Sequence, residues 1–140
     1  DLQAAFRGFR RCLRPGGTAL TQLLNYRRVL ERRERIVGIN RGDDAEYVRF
    51  YDFLENGLLR FNVLTIRWQD GEAEHDLAET MLAAYTETEL TEAARAAGLD
   101  EVTLYGGLDF SDYDPAHSQT LLLACGAPAA YPRAGEAGLG

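Results

Sequence analysis

Apolar residues recur at spacings of three and four across the first thirteen positions: Leu2, Ala5, Phe6, Phe9 and Leu13. That is one stripe of an amphipathic helix, with Arg7, Arg10 and Arg11 off it. Asp1 stands where a cap is needed. Pro15 cannot continue the helix, and Gly16-Gly17 supply the dihedrals for a reversal. The next seven residues, 18–24, carry no charge and are mostly apolar. Such a run, bounded by turn residues, predicts a strand covered on both faces, as in a parallel α/β sheet. It stops at Asn25 and Tyr26. In open α/β sheets ligands collect beyond the carboxyl ends of the strands, so this pair is placed at that edge.

Residues 27–35 are strongly charged and helix-compatible. From there the pattern turns to strands. Residues 35–40 form a short one, closed by Arg41-Gly42-Asp43-Asp44. Residues 46–53 are rich in β-branched and aromatic side chains, and Glu55-Asn56-Gly57 is a turn signal. A long strand over 58–68 ends at Gln69-Asp70-Gly71-Glu72, and 73–85 completes the set. Short connections make neighbours antiparallel, so about 35–85 reads as an inserted four-strand meander.

Thr86 and Glu89 fit a capping box at the start of a helix. Leu90, Ala93, Ala94 and Ala97 form its buried stripe, and Gly98 ends it. A strand over 101–105, a loop of Gly, Asp and Pro over 106–117, and an apolar strand over 119–125 follow. The Ala-, Gly- and Pro-rich residues 127–140 are expected to be a flexible tail.

Charge changes the picture of partners. Residues 1–67 hold 13 Arg and 8 acidic residues, a net of +5, whereas 68–140 hold 2 Arg and 14 acidic residues, a net of −12. There is no lysine, and the arginines are scattered through different elements. A net negative chain without a basic run is a poor nucleic-acid binder. Length sets one domain. No apolar run approaches a membrane span. The two cysteines, Cys12 and Cys125, have no metal-ligand spacing and no secretory leader precedes them, so both read as reduced core thiols. The expected location is cytoplasmic, with no membrane partner.

The chemistry-bearing residues are few. His75 and His117 lack a Cys or His at ligand spacing, so no metal site is expected. His117 follows Asp112 and Asp114 in the terminal loop and reads as a solvated histidine before a general base. Asp109, Asp112 and Asp114 lack the ligand order of a calcium loop. No nucleophile elbow and no phosphate-binding loop is present, and no catalytic residue is assigned.

The ordered set of helix, Arg14-Pro15-Gly16-Gly17, apolar strand, insertion, capped helix, Ala97-Gly98-Leu99, strand, Asp-rich loop and apolar strand resembles the C-terminal half of a class I S-adenosylmethionine-dependent methyltransferase. The likeness covers residues 1 to about 126. Leu24-Asn25-Tyr26 and the β-rich insertion are similar to the small-molecule branch that includes glycine and sarcosine N-methyltransferases. The resemblance implies a Rossmann-like sheet with 18–24 as its fifth strand and 101–105 and 119–125 as its terminal antiparallel pair. It implies S-adenosylmethionine as cofactor, seated mainly by an N-terminal half that is absent here. The glycine-rich turn after the first strand has no match, and Gly106-Gly107 opens no helix. The segment is therefore expected to begin mid-protein and not to bind the cofactor by itself.

Methyl transfer is an in-line displacement, and orientation supplies up to roughly 7–11 kcal/mol. Substrate-side residues thus hold more than they react. Asn25, with two donors and an acceptor, is the first candidate for the substrate, and the resemblance places an Asn there against substrate. Tyr26 lines the same edge. Arg49 and Arg67 on the inserted sheet are candidates to clamp a carboxylate. The resembling N-methyltransferases carry an Arg near the position of Met81, which makes an amino-acid carboxylate a poor expectation. The leading function is methyl transfer to a small-molecule acceptor. The alternatives are a non-catalytic ligand-binding module, with 35–85 closed into a barrel, and a degenerate homologue. A homo-oligomer through the inserted sheet is a further expectation.

Overall fold

A computed structural model describes residues 1–129, and in it the chain divides into two compact units. The first comprises 1–24, 87–114 and the chain from Ser118 onward; the second comprises 25–86 and 115–117.

The first unit is built on helix α1 (Leu2–Cys12), strand β1 (Thr18–Leu24), helix α3 (Glu87–Ala96), and strands β6 (Asp100–Tyr105) and β7 (Thr120–Gly126). Its sheet has the order β1-β7-β6, with both neighbours antiparallel. The register of β1 on β7 runs from Thr18 opposite Gly126 to Leu24 opposite Thr120. Asp1 caps α1 through the amide of Gln3. Gly16 takes φ +75, and Ala127 donates back to the carbonyl of Gly17, so ordered chain continues past β7. At the end of α3, Gly98 takes φ +77 and Leu99 donates to the carbonyl of Ala94.

Two expectations for this unit are corrected. The strand covered on both faces is β7, whose Leu121, Leu122, Leu123 and Cys125 are all buried. β1 instead alternates, and Leu20 is 54% exposed. β7 lies between two strands, whereas β1 has one paired edge among the described residues. A parallel neighbour for β1 is likewise not among them. Cys12 ends α1 in solvent and is not a core thiol, while Cys125 is one. On α1 only Phe6 is buried; Phe9, expected on the same stripe, stands edge-on to its ring with centroids 5.5 Å apart. The buried stripe of α3 is Leu90, Ala93 and Ala94.

The second unit holds helix α2 (Tyr26–Arg32) and a four-stranded antiparallel sheet of β2 (Ile36–Arg41), β3 (Ala45–Phe53), β4 (Leu58–Gln69) and β5 (Glu72–Ala83), paired in chain order. α2 ends at Arg32, capped by Arg33 in the left-handed region, short of the end of the 27–35 pattern. The sheet is open, with β2 and β5 as its edges, so the barrel of the ligand-module alternative is not formed by these strands. Strand alternation puts Tyr47, Arg49, Tyr51 and Phe53 on one face with Thr65, Val63, Phe61 and Leu59 opposite them. On this face Val29 of α2 packs with Tyr51 and Leu59, flanked by Tyr26, Leu30, Phe53, Phe61 and Leu82. Full burial of a side chain such as Leu59 contributes roughly 1.5–3 kcal/mol. The other face carries Val48, Phe50, Leu64, Ile66 and Leu77.

The tail expected over 127–140 lies, from residue 130 on, outside the described residues. No helix among the described residues is long and apolar enough to cross a membrane.

Candidate functional site

The helix-bearing face of the meander gathers most of the candidate residues, and α2 sets its boundary. Asn25 caps this helix. Its Oδ1 accepts from the amide of Arg28 at 3.3 Å, and its Nδ2 donates to the carbonyl of Pro115 at 2.9 Å. The side chain is 1% exposed. Arg28 and Arg32 donate to the carbonyls of His117 and Ala116, so residues 115–117 are held as a strap against α2. The Arg28 guanidinium also meets Glu34 at 3.0 Å.

Tyr26 is half-buried, with its ring centroid 6.5 Å from that of Tyr51. The Tyr51 phenol is pushed well above its ordinary value, first by burial, then by the neighbouring Tyr26. A hydrogen bond with the Tyr26 side chain also engages the Tyr51 hydroxyl. Tyr51 was not singled out among the site candidates. The alternation of 46–53, which puts it on the face of Arg49, was the signal that could have found it.

Arg49 is half-buried two residues along β3 from Tyr51. Its Nη2 donates to Oδ1 of Asn40 at 2.6 Å. Gly38 makes room for it: a Cβ there would stand 3.1 Å from that Nη2. Asn40, Tyr47, Arg49 and Val63 line an open cavity of about 320 Å³. The arrangement is a guanidinium fixed from one side, a phenol ring beside it and an aliphatic floor. It can hold an anionic or hydroxyl-rich group while packing an apolar one.

Arg67 is exposed on the same face, opposite Ala45 and Glu74. It lies four residues along β4 from Val63, the partner of Arg49, or about 13 Å at strand rise. Arg49 and Arg67 are therefore not brought together as one clamp.

The remaining candidates have structural partners. The Asp109 carboxylate accepts from the amide and hydroxyl of Ser111, which hold its pKa below the usual value. His75 is an exposed residue of β5, opposite Ile66. No group of three or more His, Cys, Asp or Glu among the described residues is placed to hold a metal ion. Gly106 follows β6, and the next element is β7, not a helix; a Cβ at Gly106 would stand 3.0 Å from the carbonyl of Asp112.

No family profile matches the chain, and no curated protein does. Solved structures do. An S-adenosylmethionine-dependent methyltransferase from Clostridium acetobutylicum superposes with a TM-score of 0.71 at 11% identity, over 91% of this chain and 51% of that one. The methyltransferase CcbJ from Streptomyces caelestis gives 0.72 at 21% identity, over 91% and 50%. The S-adenosylmethionine-bound amino pentose methyltransferase CalS10 from Micromonospora echinaspora gives 0.57 at 15%, over 88% and 49%. The fold is thus the class I methyltransferase fold: α/β, with the inserted four-strand antiparallel sheet. The chain spans about half the length of the structures it matches.

Proposed function

We propose that this chain is the substrate-side portion of an S-adenosylmethionine-dependent methyltransferase acting on a small-molecule acceptor. The observation that carries the reading is the sheet order β1-β7-β6 with the meander inserted after β1, matched over 91% of the chain in methyltransferase structures. In this reading residues 1–126 are the C-terminal part of the methyltransferase domain. The glycine-rich turn that seats the cofactor lies outside the 140 residues. The cofactor supplies the methyl group; this chain supplies none of the bonds that change.

Its residues hold and orient the acceptor. Arg49, Tyr47 and Asn40 bind the acceptor's polar groups, Val63 packs its apolar part, and Tyr26 with Tyr51 closes the helix side of the face. Asn25 serves the acceptor less directly than its position suggested, because its amide is engaged by Arg28 and Pro115. It positions the start of α2, and with it Tyr26. Arg67 is a peripheral contact. A sugar-like acceptor is supported by the amino pentose methyltransferase among the similar structures. The kinship to glycine and sarcosine N-methyltransferases rests on Leu24-Asn25-Tyr26 and the insertion alone. Self-association through the inserted sheet belongs to the same reading.

The test is calorimetry on the full-length gene product with S-adenosylmethionine and S-adenosylhomocysteine. Binding of both is expected, and the isolated 140 residues are expected to bind neither. A well-folded full-length protein that binds neither ligand would overturn the reading.

A further inference from the structure

The arginines of the second unit differ in how their charge is met. Arg27, Arg28, Arg32, Arg35, Arg41 and Arg60 each have a carboxylate within 3.8 Å. Arg33 lies over the ring of Phe53, and Arg67 has Glu74 opposite it. Arg49 has no acidic partner among the described residues. Gly38, Arg49, Val63 and Ala78 form one row across the four strands, and Arg49 is the charge in it. The acidic residues on this face of the strands are Glu74 and Asp76 of β5. Asp76, the nearer, lies two strands across and two residues along from Arg49, about 12 Å away. The partner Arg49 does have is neutral, the Oδ1 of Asn40 at 2.6 Å.

That bond also orients the amide. A guanidinium only donates, so Oδ1 faces Arg49 and the Asn40 Nδ2 is left to donate elsewhere. Arg49 keeps its other N–H groups, and Tyr47 adds a phenol. Apart from the phenol oxygen, the side-chain polar atoms left to a ligand are therefore donors. They border an open cavity of about 320 Å³ with Val63 as its floor. The backbone is adapted at the same point. The register of β2 on β3 shifts between Ile36 and Gly38, beside Arg49, and a Cβ at position 38 would stand 3.1 Å from the guanidinium.

We propose that the acceptor carries a carboxylate, that this group supplies the counter-ion Arg49 lacks, and that Asn40 selects for it by being an amide and not an acid. The proposal rests on this face being the acceptor site. One guanidinium is one positive charge, which matches a monoanion and falls short of a phosphate monoester. The planar fork suits the two oxygens of a carboxylate, with Asn40 Nδ2 and Tyr47 as further donors. A hydroxyl in its place would leave the charge of Arg49 unmatched in a half-buried row. An Asp at position 40 would close the site from within, as Glu46 does for Arg41 on the opposite face. A sugar acid satisfies both this pocket and a sugar-like skeleton.

The experiment is ligand-observed NMR on the full-length gene product, with butyrate and glucuronate as probes and butyramide and glucuronamide as their uncharged counterparts. Each carboxylate is expected to bind at least about tenfold more tightly than its amide. Arg49→Gln should remove that preference. Asn40→Asp gives Arg49 an internal carboxylate and should remove it as well. Arg41→Gln deletes a positive charge on the opposite face and should leave it unchanged. Circular dichroism checks folding. If Arg49→Gln does not fold, Asn40→Asp decides, since it only exchanges an amide for an acid. Carboxylates that bind no better than their amides overturn the proposal. So does a preference that survives in every folded variant, or one lost in Arg41→Gln alone. Methyl phosphate binding more tightly than either carboxylate overturns it too. None of these outcomes depends on S-adenosylmethionine; calorimetry with the cofactor tests the methyltransferase reading, and either can fail without the other.

Discussion

The side chain of Asn25 donates to the carbonyl of Pro115, 90 residues further along the chain, at 2.9 Å. The same amide caps α2 through Arg28. One buried carboxamide therefore fixes the start of a helix and the strap that crosses it, which makes its loss a test of architecture before chemistry.

Asn25→Ala should lower stability by about 1–3 kcal/mol, because it removes a cap and leaves the Pro115 carbonyl without this partner. Asn25→Ser keeps an oxygen for the Arg28 amide and should recover part of that loss. Chemical denaturation of both variants measures it; an unchanged midpoint for Asn25→Ala would contradict the role.

Gly38→Ala places a methyl group against the guanidinium of Arg49, which must shift or release Asn40. The backbone φ of Gly38 is not left-handed, so the strand itself tolerates alanine. Acceptor binding is expected to weaken several-fold with little change in thermal stability. Arg49→Lys should weaken it further, since an ammonium lacks the planar fork. Equal acceptor affinity in all three proteins would remove Arg49 from the site.

Asp52 sits between Arg60 and Arg35, and hydrogen bonds from Arg60 foremost hold its pKa below the usual carboxylate range. A depressed folded value means that the folded state binds fewer protons than the unfolded one. The contribution is fully present above the ordinary range and is lost as the pH falls through the depressed value. In wild type, stability should therefore fall from about pH 4 downward. Asp52→Asn should be less stable at neutral pH and show a flatter acid limb. Parallel acid titrations of wild type and variant would refute the pairing.

The two cysteines should react in separate phases. Cys12 is exposed and should take a thiol reagent within seconds to minutes. Cys125 is buried, and its burial raises the thiol pKa, so it should react only after unfolding. Two equally fast thiols in the native protein would show that β7 is less well covered than described.

Much of the fold was legible in the sequence because local rules determine it. Gly57 and Gly71, both at positive φ, mark two of the three hairpin turns of the meander, and Gly98 marks the end of α3. Alternation along β3 and β4 was equally plain. What was not legible was non-local. The apolar runs of β1 and β7 look alike, and only their places in the sheet make one half-covered and the other buried. The hydrogen bond from Asn25 to Pro115 joins positions 90 residues apart, and nothing adjacent in sequence reveals it. Arg49 and Arg67 were candidates by residue type, and the strand register sets them about 13 Å apart.

The strap of residues 115–117 bears on how such a sheet can be exchanged between proteins. The second unit is written in two pieces of sequence, 25–86 and a tripeptide nearly thirty residues later. A gene segment copied at the ends of the meander alone would carry Asn25, Arg28 and Arg32 without the carbonyls of Pro115, His117 and Ala116 that they hold. Recombination that moves this sheet into another protein must then move the distant loop with it, or supply three new acceptors. The unit is written as a pair of segments, and a chimera built from the first alone keeps the Glu34 ion pair of Arg28 but lacks the three carbonyl acceptors.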